Sequence, residues 1–234
     1  MHHRIYYPDP LNIGDEISVV GDEFHHAARV VRVRPDEHVE HFDGRGRAVE
    51  GRVIETTGEA LRIAVERVVP SRESKTRIHL AAAIINLDRF ELVLQKATEL
   101  GVASITPVVT DRVDVRPERY KGKSERWEKI VFEAVKQSGR SVIPPLAEPA
   151  AFAEAIGGAG AKIFFDADEE PSPPDDSFDE VTLFVGPEGG WSEAEIELAR
   201  SRRCIFRRLG SRRLRAETAA IVAVAIITAR HGDI

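Results

Sequence analysis

Two segments of the 234-residue chain join residue types that can hold a ligand and act on it. The first is Gly186-Pro-Glu188-Gly189-Gly190, with Val185 before it and Trp191-Ser192 after it. Three glycines in five residues strip a turn of side chains and let a ligand approach its backbone closely. The turn lacks the Lys-Ser/Thr of a phosphate-binding P-loop and does not fit G-x-G-x-x-G. A nucleotide-like ligand and an ordinary tight turn therefore both stay open. The second segment is Leu209-Gly-Ser-Arg-Arg-Leu-Arg-Ala-Glu-Thr218, in which Arg215 and Glu217 flank the start of a strongly apolar stretch. Charges persist in such a place only when they pair or serve a ligand. A structural Arg–Glu pair and a functional pair are the alternatives.

Both segments need a scaffold, and the carboxyl-terminal two thirds of the chain supplies its pattern. Strands are expected at Ile78–Ile85, Ser104–Val109, Lys162–Phe165, Val181–Val185 and Ile205–Leu209. The first is a continuous apolar run suited to burial on both faces. Between them fall helices. One has Asp88 as cap and Glu91 completing a capping box, with Phe90, Val93, Leu94, Ala97 and Leu100 on its apolar face and Gly101 as its stop. Another opens at Ser124 and carries Trp127, Ile130, Val131, Ala134 and Val135 at helical spacing. A third is capped by Ser192, with Glu195 at the third position and Trp191 stapled against Ile196. A fourth, Ala216–Ala229, is apolar on nearly every side and is expected to be buried on nearly every side. Strand–helix alternation means a largely parallel sheet flanked by helices, and ligands of such sheets bind outside the carboxyl ends of the strands. Both segments lie at such ends.

The first ~70 residues follow a different rule. Short strands are expected at Ile17–Val20, His38–Phe42, Ala48–Ile54 and Ala60–Val68, with Asp43-Gly44 as a hairpin-type turn. Phe24, Ala27, Ala28 and Val31 suit one helix, capped by Asp22. The pattern suggests a small barrel, of which the oligonucleotide-binding type is one example. The polar stretch from Val69 to Thr76 marks the boundary, giving domains over 1–70 and 75–234.

Charge is distributed unevenly. The chain carries −6, yet Asp166–Glu180 holds eight acidic residues and no basic one, so the rest carries +2. Arg200–Arg215 holds eight arginines and no acid. An anionic partner and a plain solvated face both fit such a run. The proline-rich acidic stretch Glu169–Ser177 is expected to be a mobile loop. Metal chemistry finds little footing: His38 and His41 point to opposite faces of a strand, and His25-His26 diverge on a helix. Cys204 excludes an internal disulfide and reads as a buried structural thiol. The start has no secretory apolar core, and the longest apolar run is 11 residues against roughly 20 for a membrane span. A cytoplasmic protein is expected.

Gly186-Pro-Glu-Gly-Gly-Trp-Ser-Glu-Ala-Glu-Ile together with Leu209-Gly-Ser-Arg-Arg-Leu-Arg-Ala-Glu-Thr-Ala resembles the RsmE family of ribosomal RNA methyltransferases, within the SPOUT class. Gln95-Lys-Ala-Thr-Glu-Leu-Gly-Val, Gln137-Ser-Gly-Arg140, His25-His26…Arg29-Val-Val-Arg32 and Phe42-Asp-Gly are similar to further blocks of the family. The likeness covers essentially the whole chain. It implies a PUA-like β-barrel for RNA, then a SPOUT domain whose parallel sheet ends in a trefoil knot, a topology that general rules disfavour. It also implies a homodimer, S-adenosylmethionine as methyl donor, no metal, and N3 of one uridine in 16S ribosomal RNA as acceptor. Five positions depart from the pattern: Ser211 stands where proline is usual, Ala216 where threonine is, Asn86-Leu87 where a basic residue and glycine are, and Lys136 where glutamate is.

On that resemblance the cofactor is expected on Val185, Gly186, Glu188, Gly189, Gly190, Leu209, Gly210, Ser211, Leu214 and Thr218. Arg215 is expected to stabilise the anion that forms as the uridine imide loses its proton, and Glu217 to orient Arg215 or take the proton. Arg29, Arg32, Arg140, Arg212 and Arg213 are expected to bind RNA. A non-catalytic RNA-binding ribosome assembly factor is the alternative; a nicotinamide dehydrogenase is disfavoured by the missing G-x-G-x-x-G.

Overall fold

Residues alternating between apolar and polar build the first part of the chain, and continuous apolar runs build the second. The computed structural model describes residues 3–113, 115–158, 160–172 and 178–230, without the side chains of 29–31. It divides into two units, one of residues 1–73 and 135–143, the other of 74–134 and 144–234.

The first unit contains strands β1 (His3–Tyr6) and β2 (Glu16–Val19), helix α1 (Gly21–His25) continuing as a π-helical stretch (His26–Val31), and strands β3 (His38–Phe42), β4 (Ala48–Thr56) and β5 (Leu61–Val69). They form a five-stranded sheet in the order β1-β3-β4-β5-β2, with β1 parallel to β3 and the other pairs antiparallel. Leu61, Ile63 and Val65 of β5 face the core while Arg62 and Glu66 face solvent, the period-2 pattern of a half-buried strand. Two bulges interrupt the β4–β5 ladder, one with Glu66 of β5 as the extra residue opposite Glu50 and Gly51, the other with Ile54 of β4 between Val53 and Glu55. Gly51 has no space for a side chain, because a Cβ there would lie 2.6 Å from Ile63 Cγ2. Two expectations need correction, and β1, four residues long like β2, was not among the expected strands. β1 and β2 form the sheet's two edges, so among the described residues no hydrogen-bond ladder closes the expected barrel. Asp22 sits in the first turn of α1 rather than at its cap, which is Val20 and makes no side-chain bond.

The second unit runs β6 (Arg77–Ala83), α2 (Leu87–Glu99), β7 (Ser104–Val109), α3 (Pro117–Tyr120), α4 (Ser124–Ser138, its last residues belonging to the first unit), β8 (Ala150–Ala151), α5 (Phe152–Ala155), β9 (Ala161–Phe165), β10 (Glu180–Val185), α6 (Glu193–Ser201), β11 (Ile205–Arg207) and α7 (Ala216–Arg230). Its sheet has the order β11-β9-β10-β6-β7-β8, and every pairing is parallel. The expected α/β architecture with a parallel sheet is present. Ile78, Leu80, Ala81, Leu183 and Phe184 are all buried, as strands covered on both faces require. Asn86, not Asp88, caps α2: its side chain accepts from the Asp88 N–H at 3.2 Å. Glu91 is thereby free of any capping box and pairs with Arg126 instead. β11 stops at Arg207, two residues short of expectation. Helix α7 is not covered all round. Ala220, Ala223, Val224 and Ile227 are buried, but Thr218, Ile226 and Ala229 are exposed. Of the acidic stretch 169–177, residues 173–177 lie outside the described residues. Its beginning is held in place, since Ser172 exchanges hydrogen bonds with Phe206 at 2.9 and 3.0 Å.

Within the first unit a buried guanidinium closes the end of α4. Arg4 donates to the carbonyls of Val135 (2.9 Å), Lys136 (3.3 Å) and Arg140 (2.7 Å), and to Glu40 at 2.9 Å. Its guanidinium also lies 4.5 Å from the centre of the Phe42 ring. A cation at a helix carboxyl end satisfies orphan carbonyls and opposes the helix dipole. Arg72 adds two bonds to Glu40, at 2.9 and 3.0 Å. Burial works to raise the Glu40 carboxyl, but the guanidinium groups of Arg72 and Arg4 outweigh it and hold the group below its ordinary value. Lys136, where the resemblance leads one to expect glutamate, pairs with Glu23 at 2.8 Å.

His41 lies on the same strand and has no such partners: both ring nitrogens are buried and unbonded. Burial pushes its pKa down from 6.5 to about 4, against the pull of Glu40. The folded state thus binds this proton less well than the unfolded state. Its contribution is whole above about pH 6.5 and is lost as pH falls towards 4. Between pH 7 and pH 5 the loss is about 2 kcal/mol. Urea unfolding of the wild type at the two pH values should show that drop, and His41→Phe should flatten it. Equal pH slopes in the two proteins would refute the assignment.

Candidate functional site

Three neighbouring parallel strands, β11, β9 and β10, all end on the same side of the sheet, and their loops enclose one cleft. Its volume is about 480 Å³, inside the ~300–1,000 Å³ range of small-molecule sites. β9 contributes Phe165 to Asp168, β10 contributes Val185 to Glu188 with Gly190 and Trp191, and the stretch after β11 contributes Arg207, Leu209, Gly210 and Arg212 to Ala216. Ala219 of α7 completes the wall. The two glycine-bearing turns expected at strand ends therefore meet.

Trp191 sets the geometry. Its indole N–H donates to the Phe165 carbonyl at 3.0 Å, and its ring lies 4.5 Å from Phe164 and 4.9 Å from Phe152. The ring fills the space above Gly186, where a Cβ would come within 2.9 Å of it. The turn can pass only as glycine. Immediately after it, Ser192 and Glu195 form the full capping box of α6, and Trp191 and Ile196 share one core cluster. Glu195 also accepts the Asp111 N–H at 2.9 Å, and Ser192 Oγ donates to Asp111 at 2.6 Å. The loop after β7 is thus fastened to the same helix start.

Of the residues expected to hold a ligand, Val185, Gly186, Glu188, Gly190, Leu209, Gly210 and Leu214 line the cleft. Gly189, Ser211 and Thr218 do not. Gly189 faces Arg112, whose carbonyl would lie 3.1 Å from an added Cβ and whose guanidinium donates to the Gly189 carbonyl at 3.3 Å. Ser211 and Thr218 are turned to solvent. Gly190 and Gly210 have φ of 69° and 94°, and open space lies where a Cβ would be. Residues 165–168, Pro187, Trp191, Arg207, Ala216 and Ala219 also line the cleft without being expected to; for the first group the strand end at Phe165 is the available signal, because β9 neighbours both β10 and β11.

Arg215 stands on the wall at the start of α7, its carbonyl accepting the Ala219 N–H at 2.8 Å. Among the described residues no carboxylate lies within ion-pair distance of it, so the Arg215–Glu217 pair is not formed. Glu217 is buried and lies instead 3.8 Å from Arg89 Nε; its other oxygen has no partner. Arg89 also reaches Glu188 on the cleft at 3.4 Å. The expected RNA-binding arginines scatter. Arg212 and Arg213 are exposed at the cleft, Arg213 beside Asp168 at 3.4 Å. Arg32 is exposed on the first unit, and the side chain of Arg29 lies outside the described residues. Arg140 is buried and bonded to Glu73 at 2.7 and 3.0 Å, which leaves no surface for a phosphate. Cys204 is buried, and burial raises its thiol to about 11, as befits a structural residue.

Residues 72–228 match the RNA methyltransferase domain family, and residues 21–66 match the RNA methyltransferase PUA domain family. Ribosomal RNA small subunit methyltransferase E of Synechocystis is 31% identical over 98% of this chain and 78% of that protein. The chain belongs to the ribosomal RNA small subunit methyltransferase E family. The Mycobacterium bovis member is 30% identical over 97% of this chain and 92% of its own. A Neisseria gonorrhoeae member, crystallised bound to S-adenosyl methionine, superposes with a TM-score of 0.89 at 31% identity, covering 98% of both chains. The methyltransferase E resemblance seen in the glycine turns thus holds over the whole length, and the amino-terminal unit is PUA-like.

Gly186→Ala forces a methyl group into the Trp191 ring. A loss of about 1–3 kcal/mol of stability is expected, as for overpacking generally, with weaker ligand binding in the cleft. Thermal melts and calorimetry with S-adenosylmethionine read both quantities, and an unperturbed variant would show that Trp191 does not fix this turn.

Proposed function

We propose that this chain transfers a methyl group from S-adenosylmethionine to N3 of one uridine in 16S ribosomal RNA. The observation that carries the proposal is the cleft at three adjacent strand ends, with an unpaired arginine, Arg215, on its wall. The cleft fits the cofactor's chemistry. Apolar side chains of Phe165, Val185, Leu209, Leu214 and Ala219 line it, and glycines 186, 190 and 210 bare its backbone. When bound, the cofactor supplies an electrophilic methyl group on a sulfonium centre.

The chain's own part is positioning and charge. Holding two reactants in line contributes more to such a displacement than any covalent step by the protein. Backbone groups of 186–190 and 209–214 grip one reactant. Arg215 faces the uracil ring and stabilises the negative charge that spreads over O2 and O4 as N3 loses its proton. Glu217 is a positioning residue in this scheme: it lies off the cleft and holds the start of α7 through Arg89, which also braces Glu188. Exposed Arg32, Arg212 and Arg213 contribute phosphate contacts, whose strength falls with salt.

The finer architecture belongs to the same proposal: an RNA-binding domain over 1–70, a catalytic domain over 75–234, and a trefoil knot. The knot is supported by the chain's path, since β11 returns to the far side of β9 after β10, and Arg208 then donates to the Asp168 and Glu169 carbonyls on its way to α7. A homodimer is supported by the uncovered face of α7, where Ile226 is 37% exposed. Among the described residues no helix is long and apolar enough to cross a membrane, in keeping with a cytoplasmic enzyme.

Arg215→Ala should lower methylation of small-subunit ribosomal RNA at least a hundredfold while changing S-adenosylmethionine affinity less than threefold. A parallel loss of cofactor binding would move Arg215 into the cofactor site, and a wild type that binds no cofactor would leave only an RNA-binding assembly factor. Ile226→Glu should turn a dimer into a monomer by light scattering; an unchanged mass would remove α7 from the interface.

A further inference from the structure

The arginine run does not have all its charges at its disposal. Arg200 pairs with Glu169, Arg213 with Asp168, and Arg207 and Arg208 donate to carbonyls of the loop after β9. Cations for a long polyanion must also come from elsewhere on the second unit. They are concentrated in Arg116-Pro-Glu-Arg-Tyr-Lys-Gly-Lys123, four cations against one anion in eight residues. Arg116, Arg119 and Lys121 are exposed and Lys123 half-buried, and among the described residues none has an ion-pair partner.

A second cavity of about 310 Å³ opens beneath this segment, away from the cleft. Tyr120, Lys121, Gly122 and Ser124 form one side, Trp127 and Glu128 of α4 a second, and Leu146 to Pro149 a third. Tyr120, Trp127, Leu146 and Pro149 give apolar walls, Glu128 and Glu148 give acceptors for an exocyclic amine, and Lys121 gives a cation for a phosphate. That combination suits an unpaired nucleotide better than a free anion or an apolar peptide. The segment leaves the sheet on the same side as the cleft, at the carboxyl end of a parallel strand. It follows β7, which lies two strands from β10 in the parallel sheet, about 10 Å away. Asp111 and Arg112, at the start of the loop that leads to the segment, are fastened to Ser192, Glu195 and Gly189. From Arg112 to Lys121 the chain spans at most about 32 Å.

We infer that residues 116–123 and the cavity beneath them are a second RNA site, which holds a single-stranded stretch next to the modified nucleotide and seats one of its bases between Tyr120, Trp127 and Pro149. Phosphates lie along Arg116, Arg119, Lys121 and Lys123. The amine of the seated base faces Glu128 and Glu148, so adenine, guanine or cytosine fits and uracil does not. This site rests on the ribosomal RNA activity proposed above, and it selects the neighbourhood of the target, not the chemistry.

The test uses the full chain, S-adenosylmethionine and small-subunit ribosomal RNA from cells lacking the gene. A variant with Arg116, Arg119, Lys121 and Lys123 all changed to Gln should bind this RNA at least tenfold more weakly. Its salt slope should fall by up to about 3, at roughly 0.7 per phosphate on a single strand. Ala147→Trp fills the cavity from an exposed position and should weaken binding severalfold without changing the slope. Both variants should keep wild-type cofactor affinity and melting temperature, which controls for folding. A wild-type slope in the fourfold variant, or undiminished affinity in Ala147→Trp, overturns the inference while methylation by the wild type continues. Absence of methylation by the wild type would instead sink the activity itself.

Discussion

One indole ring holds the cleft in shape. Trp191 follows the glycine turn of β10, donates its N–H to the last residue of β9, and packs on Phe164 and Phe152 in the core between sheet and helices. A buried N–H needs a partner, and here the partner is the carbonyl at the very strand end where the cleft begins. The ring can sit there only because Gly186 has no side chain. The bareness of the turn thus has a packing cause as well as a ligand-binding one. The same few atoms fix two strand ends and the start of α6, so both loops arrive in register with each other.

Much of this was legible in residue patterns. The capping box of Ser192 and Glu195 and the apolar run at β6 follow from local chemistry, and both stand in the structure. Failures came where local signals compete or where partners are remote. Asn86 and Asp88 are both good caps, and only the backbone decides that Asn86 holds the position. Helix α7 reads as uniformly apolar, yet burial is decided by neighbours, and among the described residues none covers the face that carries Ile226. Arg140 sits in a block that resembles a family signature; that it is spent on Glu73, 67 residues away, no spacing rule could foretell. The Arg215–Glu217 pair that proximity in sequence allows is not formed, because Glu217 lies against a third residue, Arg89, on a different helix.

Charge has two distinct uses in this chain. In the first unit the buried Arg4–Glu40 pair sits at the carboxyl end of α4, bonded to its carbonyls and covered from the solvent side by exposed Arg72. Buried ions of this kind are costly to expose singly and add definition more than net stability. In the second unit most arginines around the cleft are solvent-facing, and two, Arg207 and Arg208, lean on main-chain carbonyls of the acidic loop. Carbonyl partners hold a guanidinium in place without cancelling its charge. The loop thus orders the basic surface, offsetting Arg200 and Arg213 through Glu169 and Asp168 while holding Arg207 and Arg208 by carbonyls, which cancel no charge.

The Lys136–Glu23 pair carries a consequence for exchanges between relatives. Resemblance to the family favours glutamate at the position of Lys136, and two carboxylates at 2.8 Å would repel. With an acid at this position the two side chains would swing apart unless the residue opposite were neutral or basic. Grafting the final turn of α4 from one member into another would bring the two like charges face to face unless the short helix bearing Glu23 travels with it. The pair makes these two remote stretches of chain a single heritable unit.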